Sequence, residues 1–327
     1  MSKKIVISAI GGPEVLKYID YDLPSNLQKD HVRIRQTSIG VNFIDTYHRS
    51  GIYPLPSKTP VCPGLEAAGE IIDLGTEVED FNIGDRVCYA AVPLGAYCEI
   101  RDFPSSKIIK IPNYISANTA ASILLQGMTV EYLFERLYKI KKNEFLLFHA
   151  AAGGVGLIAS QWARSVGAKM IGTVSSDTKA ELAEKNGCAF TINYKNENVF
   201  EKVKEITEGK GVTVVYDGVG KDTFNVSLEC LDFRGLFVSF GQSSGMVPII
   251  DLHKTFNPKS LYYTRPTLMH YTSTRNELEQ SSNLLFNKIQ NNEIKEHIFK
   301  TINLKDAAEA HTLIESRQST GSIILKP

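Results

Sequence analysis

Apolar and polar residues alternate along the first part of the chain, which is the pattern of β-strands that bury one face. In HVRIRQTSIGVN, Val32 and Ile34 alternate with Arg33 and Arg35, as expected for a half-buried strand. AAGEIIDLG, IGDRVCYA and GAYCEIRDF are further short segments of this type, and they lie between turns rich in Gly and Pro. The pattern therefore predicts a mostly β structure for this part.

The pattern changes near Ser116. SANTAASILLQGMTVEYLFERLYKI has apolar residues at helical spacing, with Ser116 and Asn118 as candidate N-caps. Apolar strands then alternate with helices. The predicted strands are EFLLFHA, AKMIGTV, AFTINY, VTVVYDGVG and GLFVSFG, and the helices between them are GLIASQWARSVG, TKAELAEKNG, NVFEKVKEITEG and TFNVSLECL. This alternation predicts βαβ units and a parallel sheet. Two helices, NELEQSSNLLFNKIQNNEI and LKDAAEAHTLIESR, and the strand GSIILKP follow.

Length and composition narrow the functional classes. The 327 residues suggest roughly two domains. Lys+Arg and Asp+Glu are both 36, so the chain lacks the basic charge expected of a dedicated nucleic-acid-binding protein. No run approaches the roughly 18 apolar residues of a membrane span. The five cysteines have no C-x-x-C spacing, which argues against a disulfide framework and a structural zinc ribbon. We therefore expect a cytoplasmic protein without membrane contact.

The strongest local signal is a turn of small residues between a strand and a helix. The strand EFLLFHA ends at His149, and Ala150-x-x-Gly153-x-x-Gly156 follows, with Ala150 in place of the first glycine of the usual fingerprint. Gly153 would let the backbone approach a pyrophosphate, and Gly156 would let helix and strand pack closely. A structural turn also explains a glycine cluster, but the neighbouring βα units favour dinucleotide binding.

The next strand favours NADPH over NADH. AKMIGTV is followed by Ser175 and Ser176, with Asp177 and Lys179 slightly beyond. No carboxylate stands directly at the strand end, where an NAD site usually holds the ribose hydroxyls. Two hydroxyls and an ammonium suit a 2′-phosphate. The alternative is that Lys179 is only a solvated residue of the first helical turn.

Several segments together resemble the medium-chain dehydrogenases/reductases, and within them the zinc-free NADPH:quinone oxidoreductases of the zeta-crystallin group. The segments are GGPEVL, GVNFIDTYHRSGIYP, LFHAAAGGVGLIASQWA, VVYDGVG, VSFGQSSG, TRPTL and ESRQSTG. The resemblance implies an α/β fold with a GroES-like β-rich catalytic domain, residues 1–124 and 266–327, and a Rossmann NADPH-binding domain of doubly wound parallel sheet, residues 125–265. It also implies an active site in the cleft between them and a homodimer.

The resemblance also bears on metal binding. In the zinc-dependent relatives, the positions that match Asn42, Leu65 and Gln126 carry the zinc ligands, and none of these three residues is a good ligand for zinc. We therefore expect no metal site and a structural, hydrogen-bonded role for Glu66. Without a Lewis acid, a quinone is an easier acceptor than a simple ketone.

Candidate substrate residues lie in VNFIDTYHRSGIYP. Asn42, Asp45, Tyr47 and Tyr53 are polar groups among apolar ones, and the resembling family lines the nicotinamide and substrate with this segment. Asn42 would donate to the substrate oxygen, Tyr47 would contact the cofactor, and Tyr53 would form a wall for a flat ring. The alternative is a capped loop in which the tyrosines only pack.

The resemblance implies further contacts with NADPH. Tyr194 and Arg317 match positions that join Lys179 in holding the 2′-phosphate, although Arg317 also fits a cation at a helix C-terminus. The remaining positions that the resemblance assigns to the cofactor are Phe43, Thr129, Gly154, Val155, Val219, Phe240, Gly241, Gln242, Ser243, Arg265, Pro266 and Leu268.

The function expected from these observations is NADPH-dependent quinone reduction. An NADPH-dependent reductase of enones or 2-alkenals has the same requirements and stays open. A non-catalytic NADPH- or RNA-binding protein is a third alternative, since relatives in the resembling group act as lens structural proteins and RNA binders; the zero net charge argues against RNA. GLFVSFG, as the last strand of the Rossmann run, is predicted to be an edge strand that pairs with a second copy.

Overall fold

The computed structural model describes all residues from Met1 to Pro327, and they divide into two compact units. Unit 1 comprises Met1–Met128, Tyr271–Gln290 and Glu296–Pro327, and unit 2 comprises Thr129–His270 and Asn291–Lys295. The boundaries lie a few residues beyond the predicted positions 124 and 265. Asn291–Lys295, predicted for the first domain, groups with unit 2. Its Lys295 exchanges two hydrogen bonds with Gln161, at 2.9 and 3.0 Å.

Strands and helices follow each other in the order that the sequence patterns indicate. The strands are β1 (Ser2–Ile7), β2 (Leu16–Tyr21), β3 (His31–Val41), β4 (Glu66–Leu74), β5 (Arg86–Ala90), β6 (Ile100–Pro104), β7 (Ile109–Lys110), β8 (Phe145–Phe148), β9 (Lys169–Val174), β10 (Phe190–Asn193), β11 (Val212–Asp217), β12 (Leu231–Ser239), β13 (Tyr262–Thr264), β14 (Ile298–Asn303) and β15 (Ser322–Lys326). The α-helices are α1 (Phe43–Ser50), α2 (Ala117–Glu131), α3 (Gly154–Val166), α4 (Asp177–Lys185), α5 (Val199–Ile206), α6 (Phe224–Cys230), α7 (Leu252–Phe256), α8 (Leu268–Tyr271), α9 (Arg275–Gln290) and α10 (Ala307–Glu315). None of these helices is long and apolar enough to cross a bilayer.

Unit 1 is built on a seven-stranded sheet. Its main order is β14-β15-β3-β4-β5-β7, and β6 pairs with β3. The alternation predicted for β3 is confirmed, because Val32 and Ile34 are fully buried while Arg35 is exposed. The C-terminal strand β15 lies inside the sheet, parallel to β14 and antiparallel to β3. One sheet of this unit therefore combines strands from both ends of the chain.

The helix predicted from Ser116 onward is α2, and it is extended by a π-helical turn over Tyr132–Leu137. Ser116 is the N-cap, since its Oγ accepts a hydrogen bond from the Thr119 N–H at 3.0 Å. Asn118 is not the cap; its Oδ1 accepts hydrogen bonds from Ser38 and Lys326. Because Asn118 Oδ1 already accepts hydrogen bonds from two side chains of other elements, it does not cap the helix N-terminus.

Unit 2 is a six-stranded sheet with the order β10-β9-β8-β11-β12-β13, and all its pairs are parallel. The predicted parallel sheet is therefore confirmed. The prediction that GLFVSFG forms the edge is wrong, because β13 pairs with β12 through Phe237 and Tyr263. β13 has only three residues, which is too short for a period-2 pattern to indicate a strand.

Candidate functional site

The predicted cofactor residues of unit 2 gather at one edge of the sheet. Each group follows a strand: Gly153–Gly156 after β8, Ser175, Ser176 and Lys179 after β9, Tyr194 after β10, Val219 after β11, Phe240–Ser243 after β12, and Arg265, Pro266 and Leu268 after β13. The carboxyl ends of parallel strands meet at the same edge, where open α/β sheets bind their ligands. Thr129 differs from this set, since it lies buried in α2.

The turn after β8 requires glycine at position 156. Gly153 is the N-cap of α3, so the first N–H groups of this helix are directed out of the turn. A Cβ on Gly156 would lie 2.4 Å from the carbonyl oxygen of Ala150, so only glycine allows this approach of helix and turn. Ala150 has φ 58°, a left-handed conformation that favours glycine.

Buried polar side chains connect this turn to the neighbouring strands. His149 lies with Nδ1 3.0 Å from Thr173 Oγ1 and with Nε2 2.9 Å from Ser227 Oγ. Burial lowers the pKa of His149, so the imidazole is neutral at pH 7. Ser227 in turn donates to Asp217 Oδ2 at 2.9 Å. The turn is thereby fixed to β9, β11 and α6.

Asp217 organises the loop after β11. Its Oδ1 accepts hydrogen bonds from the N–H groups of Val219 and Gly220 at 2.7 and 2.9 Å. Its Oδ2 accepts from Thr223 Oγ1 at 2.7 Å, in addition to Ser227. The carboxylate is fully buried and has four donors, which is the condition under which a buried charge is tolerated. The position of Val219, a predicted neighbour of the nicotinamide, therefore depends on Asp217.

The loop after β12 is bonded to the loop after β11. The N–H groups of Ser243 and Ser244 donate to the carbonyl groups of Gly218 and Val219 at 3.2 and 2.8 Å. Arg265 supports the same loop from β13, because its guanidinium donates to Ser239 O at 2.7 Å and to Gln242 Oε1 at 3.3 Å. Three of the predicted cofactor segments therefore form one connected wall.

Two lysines follow neighbouring strands at this edge: Lys179 lies in α4, after β9, and Lys195 follows β10. Ser176 caps α4 by accepting a hydrogen bond from the Lys179 N–H at 3.3 Å. Burial lowers the pKa of Lys179, and the positive charge of Lys195 lowers it further. A pair of ammonium groups that repel each other is a favourable place for a polyanion. Sequence reasoning missed Lys195, although it stands directly after Tyr194.

Two carboxylates near these lysines already accept hydrogen bonds from Asn193: Glu197 Oε2 accepts from its N–H at 2.9 Å, and Asp177 accepts from its side chain. Asp177 Oδ1 accepts a hydrogen bond from Asn193 Nδ2 at 2.7 Å. The Tyr194 N–H donates to Val174 O at 3.2 Å, which brings the predicted phosphate contact Tyr194 to the end of β9. The arrangement fits a phosphate group better than a ribose hydroxyl that needs a carboxylate acceptor.

In unit 1, Asn42 and Glu66 form a buried pair. Asn42 is the N-cap of α1, and its Nδ2 donates to Glu66 Oε2 at 2.7 Å. Glu66 Oε1 accepts a hydrogen bond from the N–H of Leu125 in α2 at 2.7 Å. Glu66 therefore has the hydrogen-bonded role that the sequence predicts. The Asn42 amide has a second N–H, which can donate to another acceptor.

Three predicted aromatic residues cluster beside this pair. The ring centroid of Tyr47 lies 5.4 Å from that of Phe43 and 5.2 Å from that of Tyr53. The backbone supports the contact, since the Tyr53 N–H donates to Tyr47 O at 3.0 Å. The structure thus brings together three of the four predicted substrate residues, Asn42, Tyr47 and Tyr53, on α1 and the turn that follows it.

Asp45, the fourth predicted catalytic residue, has a different environment. Its Oδ2 accepts hydrogen bonds from the Asn42 N–H at 2.9 Å and from Tyr97 Oη at 3.0 Å. Tyr97 Oη lies 3.1 Å from His311 Nε2, and His311 Nδ1 lies 3.2 Å from Arg49. Arg49 is held by Glu315 at 2.6 Å. Asp45 therefore caps α1 and joins it to α10, and its predicted contact with substrate stays a prediction.

Both buried carboxyls of this region hold their protons more tightly than usual. Burial raises the pKa of Asp45 to about 7 and that of Glu66 to about 8, against the hydrogen bonds that they accept. The unfolded chain releases both protons near pH 4. The stability that these protonated groups contribute is therefore complete below about pH 4, and it is lost as the pH rises through about 7 and about 8.

The Glu66→Gln variant tests this direction. It removes one group that must ionise inside the protein, so the free energy of unfolding is expected to fall less steeply between about pH 5 and about pH 8 than in the wild type. The difference in slope approaches about 1.4 kcal/mol per pH unit where only the native state binds the proton. Urea unfolding at a series of pH values measures it. Glu70→Gln, at an exposed position of β4, should leave the slope unchanged, and an unchanged slope for Glu66→Gln would contradict the raised pKa.

The three positions that match zinc ligands have other partners. Leu65 is buried, with 1% of its surface exposed. Asn42 is bonded to Glu66, and Gln126 Oε1 accepts a hydrogen bond from Ser322 at 3.0 Å. No group of three or more His, Cys, Asp or Glu side chains lies close enough together to hold a metal ion.

Arg317, the remaining predicted cofactor contact, belongs to unit 1. It follows α10, is exposed and has φ 59°. A residue with a left-handed backbone conformation commonly follows a helix, so this geometry agrees with the alternative interpretation of Arg317 as a cation at a helix C-terminus. Its predicted contact with the 2′-phosphate stays a prediction.

Known proteins resemble this chain over its whole length. The family descriptions alcohol dehydrogenase GroES-like domain and zinc-binding dehydrogenase match residues 28–133 and 154–287. A quinone oxidoreductase of Pseudomonas aeruginosa is 47% identical over 327 residues, all of both chains. A 2-haloacrylate reductase of a Burkholderia species is 43% identical over 98% of each chain. The solved structure of Escherichia coli quinone oxidoreductase complexed with NADPH matches with a TM-score of 0.96 and 47% identity, over 99% of this chain and 100% of that chain. These matches confirm the predicted fold class.

Proposed function

Because the chain belongs to the quinone oxidoreductase family, we propose that it reduces a quinone and takes the hydride from NADPH. The observation that carries the cofactor assignment is the pair Lys179, after β9, and Lys195, after β10, with Asp177 bonded to Asn193. The quinone is supported by the relatives that carry this activity in their names at 47% identity.

The residues of unit 2 fit NADPH. Lys179 and Lys195 would hold the 2′-phosphate, and the N–H groups at the start of α3 would hold the pyrophosphate beside Gly156. The wall that Asp217 and Arg265 support would border the ribose and nicotinamide. When bound, NADPH supplies the hydride; the protein supplies position and exclusion of water.

The residues of unit 1 suit a flat, oxygen-bearing acceptor. The second N–H of Asn42 would donate to the quinone oxygen on which negative charge develops, because the first is held by Glu66. Tyr47 and Tyr53 would provide aromatic surface for the ring. The location of the quinone in the cleft between the domains, which the family resemblance implies, stays a prediction.

The test is the loss of NADPH absorbance with chelator-treated protein. We expect fast loss with 1,4-benzoquinone and a naphthoquinone, and slow loss when NADH replaces NADPH. NADPH binding without turnover of any acceptor would contradict the enzyme and favour a binding protein, for which a gel shift with RNA is the next measurement.

Double-bond reduction is the second candidate, and the 43% identity to the 2-haloacrylate reductase favours it. An enone or a 2-haloacrylate also accepts a hydride at carbon and develops charge on oxygen, so Asn42 would serve both substrates. The same assay with a 2-alkenal and 2-chloroacrylate separates the candidates. Turnover of these alone would replace the quinone in the proposal and leave the cofactor assignment unchanged.

Replacing Ser175 by Asp is expected to move the cofactor preference toward NADH. A carboxylate at the end of β9 would repel the 2′-phosphate and accept hydrogen bonds from the ribose hydroxyls. The ratio of kcat/KM for NADPH to that for NADH should fall by at least about tenfold. Ser175→Asn gives the matched control, because it has the same shape without the charge. Equal ratios in the wild type and Ser175→Asp would refute the assignment of this position.

We also propose a homodimer that forms through unit 2. Support comes from exposed apolar side chains on the edge strand β13 and in the segment of the chain that leads to it: Met246, Leu252 and Tyr262 are 69%, 70% and 62% exposed. A patch of this kind marks an association surface, and a twofold arrangement would cover it. Light scattering should give twice the mass of one chain, and Tyr262→Glu should reduce it. Ile83→Glu, at an exposed site of unit 1, is the control. A monomer mass for the wild type would end this proposal.

A further inference from the structure

A chain of buried hydrogen bonds joins the last turn of α1 to its first turn. Arg49, in the last turn, lies with Nη1 3.2 Å from His311 Nδ1. His311 Nε2 lies 3.1 Å from Tyr97 Oη, and Tyr97 donates to Asp45 Oδ2, in the first turn, at 3.0 Å. None of the four residues is more than 2% exposed. Opposite charges four positions apart on a helix commonly pair directly, but here Arg49 pairs with Glu315 and reaches Asp45 only through residues of other segments.

The Arg49 end of this chain is fixed in place. Its Nη1 and Nη2 donate to the two carboxylate oxygens of Glu315 at 2.9 and 2.6 Å, and this bidentate geometry fixes the plane of the guanidinium. Its Nε donates to Gly11 O at 3.0 Å, and the Gly11 N–H donates to Arg49 O at 3.2 Å. The second N–H of Nη1 is therefore directed at His311.

Each hydrogen bond of the chain has one direction. Arginine has no acceptor, so His311 Nδ1 accepts from Arg49 and carries no proton. Burial, followed by the charge of Arg49, lowers the pKa of His311 to about 3, so the ring is neutral and its one proton is on Nε2. Nε2 therefore donates to Tyr97 Oη. Burial raises the pKa of Tyr97, so its hydroxyl keeps its proton and donates it to Asp45 Oδ2.

The chain ends on the residue that holds the backbone of Asn42. Asp45 Oδ2 accepts from Tyr97 and from the Asn42 N–H, at 3.0 and 2.9 Å, whereas Oδ1 is buried without a partner. The orientation of the carboxyl group therefore depends on these two donors. With the proton of His311 on Nδ1, Nε2 would accept from the Tyr97 hydroxyl and draw it away from Asp45. The side-chain amide of Asn42 is bonded to Glu66, so both polar ends of Asn42 are held by buried carboxyl groups.

We propose that His311 is a positioning residue for hydride acceptance: its Nε2 proton directs the Tyr97 hydroxyl to Asp45, and Asp45 holds the Asn42 peptide so that the Asn42 amide meets the acceptor oxygen. This inference rests on the proposed function, in which Asn42 donates to that oxygen. His311 acts through two other side chains, so its loss displaces the donor and removes no reacting group. A displacement of about 1 Å can lower a rate by about 100-fold, and we expect about tenfold for one broken link of the chain.

The first experiment removes the hydroxyl in the middle of the chain. Tyr97→Phe keeps the ring and takes one of the two donors from Asp45. We expect kcat with 1,4-benzoquinone to fall about tenfold, while the KM for NADPH stays within about twofold of the wild type. Tyr89→Phe is the matched control, because Tyr89 is also completely buried in unit 1 and its hydroxyl donates to Gln36, outside the chain. A wild-type kcat for Tyr97→Phe, or an equal loss in both variants, overturns the proposal.

Two substitutions separate the ring nitrogens of His311. The amide nitrogen of glutamine lies where Nε2 of histidine lies, so His311→Gln keeps a donor for Tyr97. The shorter asparagine reaches only the position of Nδ1, so His311→Asn keeps a partner for Arg49 and leaves Tyr97 without a donor. We expect His311→Gln to retain most of the wild-type kcat and His311→Asn to lower it about tenfold. Thr312→Ala, at the exposed next position of α10, should have no effect, and an equal loss in both His311 variants contradicts the role of the Nε2 proton.

A double-mutant cycle shows whether the chain acts through Asn42. Asn42→Ser keeps a side chain that caps α1 and removes the amide. In this background, Tyr97→Phe should change kcat by less than about twofold, because the donor that the chain positions is already absent. A further tenfold loss would mean that Tyr97 affects the reaction by another route, and it would refute the assignment.

Hydrogen exchange tests the positioning without any substrate. In Tyr97→Phe and His311→Asn, the Asn42 N–H should exchange at least about tenfold faster than in the wild type, because its acceptor is no longer held in place. The Tyr53 N–H, which donates to Tyr47 O after the same helix, should keep its rate. Wild-type exchange at Asn42 in both variants overturns the proposal, whatever acceptor the enzyme reduces. Absence of turnover in the wild type would contradict the proposed function alone, and the exchange rates would then decide the role of His311. If the variants do not fold, a nitrogen NMR spectrum of the wild-type imidazole decides: a proton on Nε2 supports the chain, and one on Nδ1 overturns it.

Discussion

Replacing Lys179 by Ala is expected to raise the KM for NADPH by about 10- to 100-fold, with little change in kcat or in the KM for the quinone. A hydrogen bond between an ammonium and a phosphate stabilises a complex by about 1.5–3 kcal/mol, and about 1.4 kcal/mol corresponds to tenfold. The ammonium is partly buried and repelled by Lys195, so binding of the 2′-phosphate would also relieve this repulsion.

The controls for Lys179→Ala use the second cofactor and the same helix. NADH lacks the 2′-phosphate, so its KM should hardly change. Lys185→Ala, at the exposed end of α4, should leave both cofactors unaffected. An equal rise of the KM for NADH and NADPH would mean that Lys179 supports the fold of α4 and not the phosphate.

Replacing Asp217 by Ala is expected to lower the free energy of unfolding of unit 2 by about 3–5 kcal/mol. Four donors lose their acceptor, and the N–H groups of Val219 and Gly220 cannot rotate to find another. Each buried unsatisfied group costs about 1–3 kcal/mol. Asp217→Asn should cost less, since the hydroxyls of Thr223 and Ser227 can turn to accept from the new amide.

The single tryptophan makes this measurement specific. Trp162 is fully buried in α3 of unit 2, so its fluorescence during urea unfolding reports on that unit. The KM for NADPH should rise as well, because the loop with Val219 loses its anchor. Asp80→Ala, at an exposed position, is the matched control. A midpoint within experimental error of the wild type would show that the four donors find other acceptors.

The sequence predicts most of this fold because its patterns are local. The apolar strands of unit 2 and the helix end at Gly167 are encoded within a few residues of each other, and the structure contains them at these places; α4 ends at Lys185, two residues before Gly187. β13 escapes prediction because three residues carry no period. The sequence therefore predicts the wrong edge strand, because β13 is too short to be recognised from its residue pattern.

The site is less predictable because its chemistry depends on distant partners. Asp45 is a polar residue in a promising segment, yet its environment is set by Tyr97, 52 positions away, which in turn contacts His311, 214 positions from it. The pair of Lys179 and Lys195 similarly depends on the pairing of β9 with β10. Local patterns identify Asn42, Tyr47 and the glycine turn as polar or small residues at element ends. They do not show which of these side chains will form hydrogen bonds that only stabilise the fold.

The position of β15 inside the unit 1 sheet has a consequence for the order in which the chain matures on the ribosome. The strands β3 to β7 are synthesised early, but their sheet lacks an internal partner of β3 until Ser322–Lys326 has emerged. Almost all of unit 2 emerges before that and has its own parallel sheet, so it can fold as a unit during translation. The first-made half of the protein is thus the last to be completed, and its exposed strand edge must be protected from other nascent chains in the interval.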